Sequence, residues 1–175
     1  MYEYDFCEYA VEKKKSGAYL AKIIVFSAVL LSLFALAFTV IVPLLGMSVG
    51  LVAFVLCGVL AWYLSRYLTI EYEYTQTASV IDFAAVYSKQ YRKEKLSVDI
   101  KKSASKIAPL NEKEIAGLKI YDFRSSGDAE NAYMLIFDDG GTKSAALFDA
   151  TKRLVTNLRH AFPSAVTVAD NLPEE

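Results

Sequence analysis

The residues best placed to do chemistry are cations. Between Lys89 and Lys113 the chain carries Lys89, Arg92, Lys93, Lys95, Lys101, Lys102, Lys106 and Lys113, against only Glu94, Asp99 and Glu112. Cations gathered in this way hold anions. On the inner leaflet of a membrane each well-placed one contributes roughly 1 kcal/mol toward anionic headgroups. The same residues have a purely structural use, because lysines along a strand edge discourage sheet-to-sheet pairing. Lys89, Arg92, Lys93, Lys95, Lys101 and Lys102 are therefore the candidate residues for binding anionic lipid or a protein partner. From Asp122 to Asp149 the balance reverses and becomes acidic. With a formal net charge of −1 the chain as a whole is not basic, which argues against nucleic acid as a partner.

Other reactive side chains are sparse. The one histidine, His160, falls near the end of a helical pattern, where a cation is mildly favoured. Cys7 and Cys57 stand at unrelated positions and form neither a disulfide framework nor a metal signature. Asp138-Asp139-Gly140-Gly141 lacks the ligand spacing and terminal glutamate of a calcium loop and reads as a hairpin turn. The sequence holds no HExxH, no GxSxG, no phosphate-binding glycine loop and no Cys/His cluster. The expectation is a protein that is not an enzyme, with no metal and no cofactor.

The elements that position the cations are short strands. TIEYEYTQT (69–77) alternates and is rich in Thr and Tyr, as a strand requires. SVIDFAAVYSK (79–89) and the basic QYRKEKLSVDI (90–100) predict two more, SKIAPL (105–110) a fourth and LKIYDFR (118–124) a fifth. NAYMLIFDDGGTKSAALFDA predicts two further strands around Asp139-Gly140. The period then switches. ATKRLVTNLRHAF (150–162) sets Leu154, Val155, Leu158, Ala161 and Phe162 on one helical face, with Asp149 or Thr151 as cap and Pro163 as stop. Residues 164–175 predict a loose acidic tail.

Ahead of the strands, no charge occurs from Ile23 to Ser65, a run of roughly 43 residues. One straight helix of that length would be about twice the thickness of a hydrocarbon core. Pro43 and Gly46 lie where a reversal is needed, so the run predicts two spans, about 20–42 and 47–68, within a hairpin region 20–68. Cleavage after Ala35-Leu36-Ala37 is disfavoured, because the residues that follow stay apolar. Lys13, Lys14, Lys15, Lys22 and Arg66 flank the run and the turn has no cation. That places both termini in the cytoplasm, with the chain a multi-pass protein of the cell membrane crossing it twice. Residues 1–19 form a cytoplasmic leader. The recurrence of Tyr2, Phe6, Tyr9 and Lys13 gives it the spacing of a short interfacial helix, with a disordered lead-in as the other reading.

This order of elements resembles the bacterial pleckstrin-homology-like membrane proteins, in which a two-helix hairpin precedes a PH-like domain. The residues that carry the likeness are IEYEYT at 70–75, YRKEKLSVDI, and the passage LFDATKRLVTNLRHAF. The resemblance implies an α+β membrane protein. An N-terminal transmembrane hairpin would lead into an antiparallel PH-like β-barrel or bent sheet of about seven strands at 69–163, closed by a C-terminal amphipathic helix. It is nearly silent on activity. Two readings stand at this point: a membrane-anchored interaction module for a protein partner, anionic lipid or a second copy, and a small transporter or channel subunit made by oligomerising the hairpin. The second is the weaker, because the spans carry no ionisable group of the kind transport pathways use.

Overall fold

Alternation within β1 (Phe6–Glu12) sets Cys7, Tyr9 and Val11 on one side and Phe6, Glu8, Ala10 and Glu12 on the other. The computed structural model, which describes residues 6–14, 17–65, 69–169 and 171–174, resolves the competition between this two-residue period and the helical spacing of the aromatics in favour of the strand. β1 pairs antiparallel with β2 (Ile70–Thr77), in register from Phe6↔Thr77 to Glu12↔Glu71. The expected interfacial helix at the N-terminus is thereby corrected. The backbone groups of residues 6–12 find partners on the edge of β2, and Cys7 becomes a core residue at 2% exposure. Tyr2 and Lys15 lie outside the described residues.

The chain divides into two units. Lys15–Thr69 forms one, and the segment before it joins Ile70–Glu175 in the other. In the first, α1 (Gly17–Leu36) runs through a π-helical turn (Ala37–Ile41) into α2 (Val42–Leu45), and α3 (Met47–Ser65) follows. The helix was expected to stop at Pro43; it stops at Gly46. Proline withholds one donor and crowds the turn before it, and the wider π turn takes up that misfit. Gly46 then ends the helix at φ +87, donating its N–H to the Val42 carbonyl at 3.0 Å. Gly50 packs against Val42 so closely that a Cβ would come within 2.3 Å of its side chain. Phe34 and Phe38 meet Phe54 across the hairpin. Tyr19–Leu45 and Met47–Ser65 are each long and apolar enough to cross a membrane. The expected end of the second span, with Arg66 and Tyr67, lies outside the described residues.

The second unit contains the eight strands found among the described residues. β3 (Val80–Tyr87) and β4 (Tyr91–Asp99) complete one four-stranded sheet of order β1-β2-β3-β4. The short helix α4 (Ile100–Ser103), capped by the Asp99 carboxylate, leads to β5 (Ala104–Pro109). α5 (Glu112–Ile115) is capped by Asn111 and leads to β6 (Lys119–Asp122). β7 (Ala132–Asp139) and β8 (Thr142–Asp149) form the expected hairpin, with Gly140 and Gly141 at positive φ. The second sheet has the order β5-β7-β8-β6. Here the expectation of a purely antiparallel sheet is corrected, because β6 lies parallel to β8. Alternation tells which face a residue takes, not the direction in which a distant strand arrives. α6 (Lys152–Ala161) follows the predicted helix, with Thr151 accepting from the Leu154 N–H as its cap.

One core joins the inner faces of both sheets and α6: Tyr74, Ile81 and Phe83 from the first sheet, Tyr133, Leu135 and Phe148 from the second, Leu154 and Leu158 from the helix. The far face of the second sheet is also covered, where Met134, Ala145 and Leu147 pack with Ile115 of α5. The loose tail is corrected too. Val166 bridges Ile107, Ala169 donates its N–H to the Tyr133 hydroxyl at 2.8 Å, and the Pro173 carbonyl accepts from Lys152 N–H. Val166, Val168 and Leu172 supply the apolar contacts that hold this segment to the core.

The turn between β3 and β4 is strained in a way that substitution can relieve. Ser88 and Lys89 stand at φ 48 and 57, and the Gln90 N–H bonds the Tyr87 carbonyl. Such a pair of left-handed residues suits Asn-Gly far better than Ser-Lys. Ser88→Asn with Lys89→Gly is expected to raise domain stability by about 0.5–1 kcal/mol, read as a higher urea midpoint at unchanged slope.

Candidate functional site

The β3–β4 hairpin presents most of the candidate cations, but not as one face. In each row across the first sheet, residues directly opposite share a side: Glu71, Val86 and Arg92 in one row, Glu73, Ala84 and Glu94 in another. Tyr74 and Phe83 point into the core, so these rows point away from it. The outward side therefore carries Glu8 and Glu12 of β1, Glu71 and Glu73 of β2, Asp82 of β3 and Glu94 of β4. Arg92 lies among these acids, with its Nε 2.6 Å from Glu73. That hydrogen bond, more than the burial that opposes it, holds the guanidinium above its ordinary range. Lys89 reaches Glu71 at 3.4 Å.

The remaining candidates separate further. Lys101 and Lys102 sit on α4, where Lys102 pairs with Asp99 at 3.2 Å. Lys106 on β5 pairs with Glu114, whose carboxyl that contact holds low. Lys93 and Lys95 are different. The β-bulge at Phe83/Ala84 leaves Lys95 out of the pairing, and its ammonium lies 5.7 Å from the centre of the Tyr87 ring. Tyr87 is opposite Tyr91, with ring centres 6.3 Å apart, and Lys93 shares their side by alternation. Lys93, Lys95 and Lys101 form no ion pair among the described residues.

The structure thus divides the six candidate cations. Lys89, Arg92 and Lys102 are neutralised by neighbouring acids. Lys93 and Lys95 join Tyr87 and Tyr91 in an exposed cationic and aromatic strip on the edge strand, and Lys101 stands apart on α4. Sequence reasoning missed Tyr87 and the glutamate partners, because these pairings are cross-strand and depend on register. The only cue was the Tyr-rich, alternating composition of the segment.

Among the described residues no second constellation competes. His160 lies in the last turn of α6 and Cys57 within α3. The Asp138 carboxylate accepts from the Gly141 N–H, as a turn residue does. Among the described residues no group of three or more His, Cys, Asp and Glu is placed to hold a metal ion.

A family model described as a bacterial PH-like domain matches residues 3–168. That match takes in β1, the apolar helices and both sheets. No curated protein and no solved structure gives a match.

Proposed function

We propose, from the fact that this chain belongs to the bacterial PH-like domain family, that it is a membrane-anchored interaction module: two helices fix it in the cell membrane and its β-domain binds a protein partner in the cytoplasm. It acts by binding rather than by catalysis. The observation that carries this reading is the pairing of β1 with β2. These strands flank the apolar helices in sequence, yet they are hydrogen-bonded neighbours from Glu12↔Glu71 onward. Paired strands occupy one compartment. If the intervening helices cross a bilayer, they cross it an even number of times, so both ends of the hairpin lie on one side. The cation-rich flanks favour the cytoplasmic side. Large apolar side chains such as Leu31, Leu44, Leu51 and Trp62 stand exposed on these helices, and lipid is the solvent that suits them.

A protein partner is favoured over anionic headgroups by the acids of the first sheet. They hold Lys89 and Arg92 already, so fewer cations remain to meet a broad negative surface.

Accessibility labelling tests the anchor. In a chain with Cys7 and Cys57 replaced by serine, Leu44→Cys is expected to react with an impermeant maleimide on intact cells. Asp128→Cys is expected to react only after permeabilisation. Labelling of Asp128→Cys on intact cells, or release of the chain from membranes by alkaline carbonate, would refute the arrangement.

A further inference from the structure

We infer that the outer edge of β4 receives an acidic, extended segment of a protein partner, which adds to the first sheet as a further strand; this rests on the interaction-module reading and names what the module binds.

Three observations carry it. The first is the open edge. β4 ends the order β1-β2-β3-β4, and no strand among the described residues lies on its outer side. The edge of β5 is covered, because Ile107 exchanges backbone hydrogen bonds with Ala165 and Thr167. β6 offers only four residues. β4 offers nine, and an edge of that length is a ready template for main-chain pairing.

The second is the chemistry beside the edge. Tyr91 is 58% exposed, Tyr87 lies against it, and Lys93 and Lys95 stand on the same side with no ion pair among the described residues. Lys89, Arg92, Lys102 and Lys106 each hold a carboxylate of this chain. The two ammoniums on the edge strand have none, so carboxylates on alternate residues of an incoming strand would complete them.

The third weighs against a second copy paired about the middle of the strand. Antiparallel self-pairing about Glu94 would set Lys93 opposite Lys95 and Glu94 opposite itself, an arrangement that like charges destabilise.

The test uses the full chain in phosphatidylcholine nanodiscs. The probe is a fluorescent peptide that alternates glutamate with valine. It is expected to bind saturably and to slow hydrogen exchange at the amides of Tyr91–Asp99. Lys93→Glu with Lys95→Glu should weaken binding at least about tenfold. Both side chains are exposed, so near-UV circular dichroism should be unchanged by the pair of substitutions. A peptide of equal charge with a central proline should also lose about tenfold, because proline cannot complete the ladder. Equal binding by the proline peptide, or by the double variant, overturns the inference. So does capture of phosphatidylserine vesicles with no response to the peptide, or concentration-dependent pairing of two chains through β4. Failure of the peptide with the hairpin labelling as expected removes this site alone; failure of the labelling removes the anchored module itself.

Discussion

Phe83→Ala is expected to destabilise the β-domain by about 3–5 kcal/mol. Phe83 is fully buried at the meeting point of the two sheets. Its ring stacks on Phe123 at 4.9 Å and meets Tyr74 and Phe148 at 5.6 and 5.7 Å. Alanine leaves a cavity walled by three rings, each held by contacts of its own: Tyr74 by its hydrogen bond to the Phe123 carbonyl, Phe148 by Tyr133 and Phe123 by Tyr72. Such walls relax little, which puts the change toward the upper end of that range. Domains of this size are commonly stable by about 5–15 kcal/mol, so the variant would be close to unfolding at physiological temperature. The melting temperature, followed by near-UV circular dichroism of the full chain in detergent, should fall by on the order of 15 °C. Phe6→Ala is the control, since Phe6 is 50% exposed and should change the midpoint little. A Phe83→Ala variant that melts within about 3 °C of the parent would contradict a shared aromatic core.

The second large effect is alkaline. The Tyr74 hydroxyl donates to the Phe123 carbonyl at 2.6 Å and accepts from the Asp149 N–H at 3.4 Å. Burial is the main cause that drives its pKa far above the ordinary phenol range, and the nearby Asp149 carboxylate adds to it. Burial raises Tyr9 and Tyr133 in the same direction. The sign follows from the unfolded chain, whose tyrosines titrate near about 10. Below that pH both states are neutral and these groups impose no slope. Above it the unfolded chain releases protons that the folded chain retains. Stability is therefore lost as pH rises, at up to about 1.4 kcal/mol per pH unit for each such phenol. Urea titrations between about pH 8 and 11 should show a plateau and then a steep fall. Tyr74→Phe should lower the plateau by about 1–3 kcal/mol, because a buried carbonyl loses its donor, and should make the fall shallower by one phenol. An unchanged alkaline slope in this variant would mean that Tyr74 ionises freely in the folded domain.

What could be read in advance follows period and composition. Seven of the strands and the terminal helix were legible because their apolar residues recur at two or at 3.6 positions, and Asp139-Gly140 announced its hairpin. β1 was not legible. Seven residues with five apolar side chains and two glutamates fit a helix or a strand, and the partner that decides lies beyond the hairpin. The parallel placement of β6 and the docking of Val166 on Ile107 likewise depend on distant partners. For the candidate site, the basic segment was evident but its division was not. Alternation assigns Arg92 and Lys93 to opposite sides, yet only the register with Glu73 and the bulge at Lys95 reveal which cations are neutralised.

The pairing of β1 with β2 also bears on how the protein is made. The ribosome delivers β1 first and β2 only after the whole helical unit has emerged, so the first sheet closes late in synthesis. Until then the β-domain lacks Cys7, Tyr9 and Val11 and the flank of β2 is without its partner strand. Closure of the sheet therefore depends on a contact that spans the helical unit in sequence.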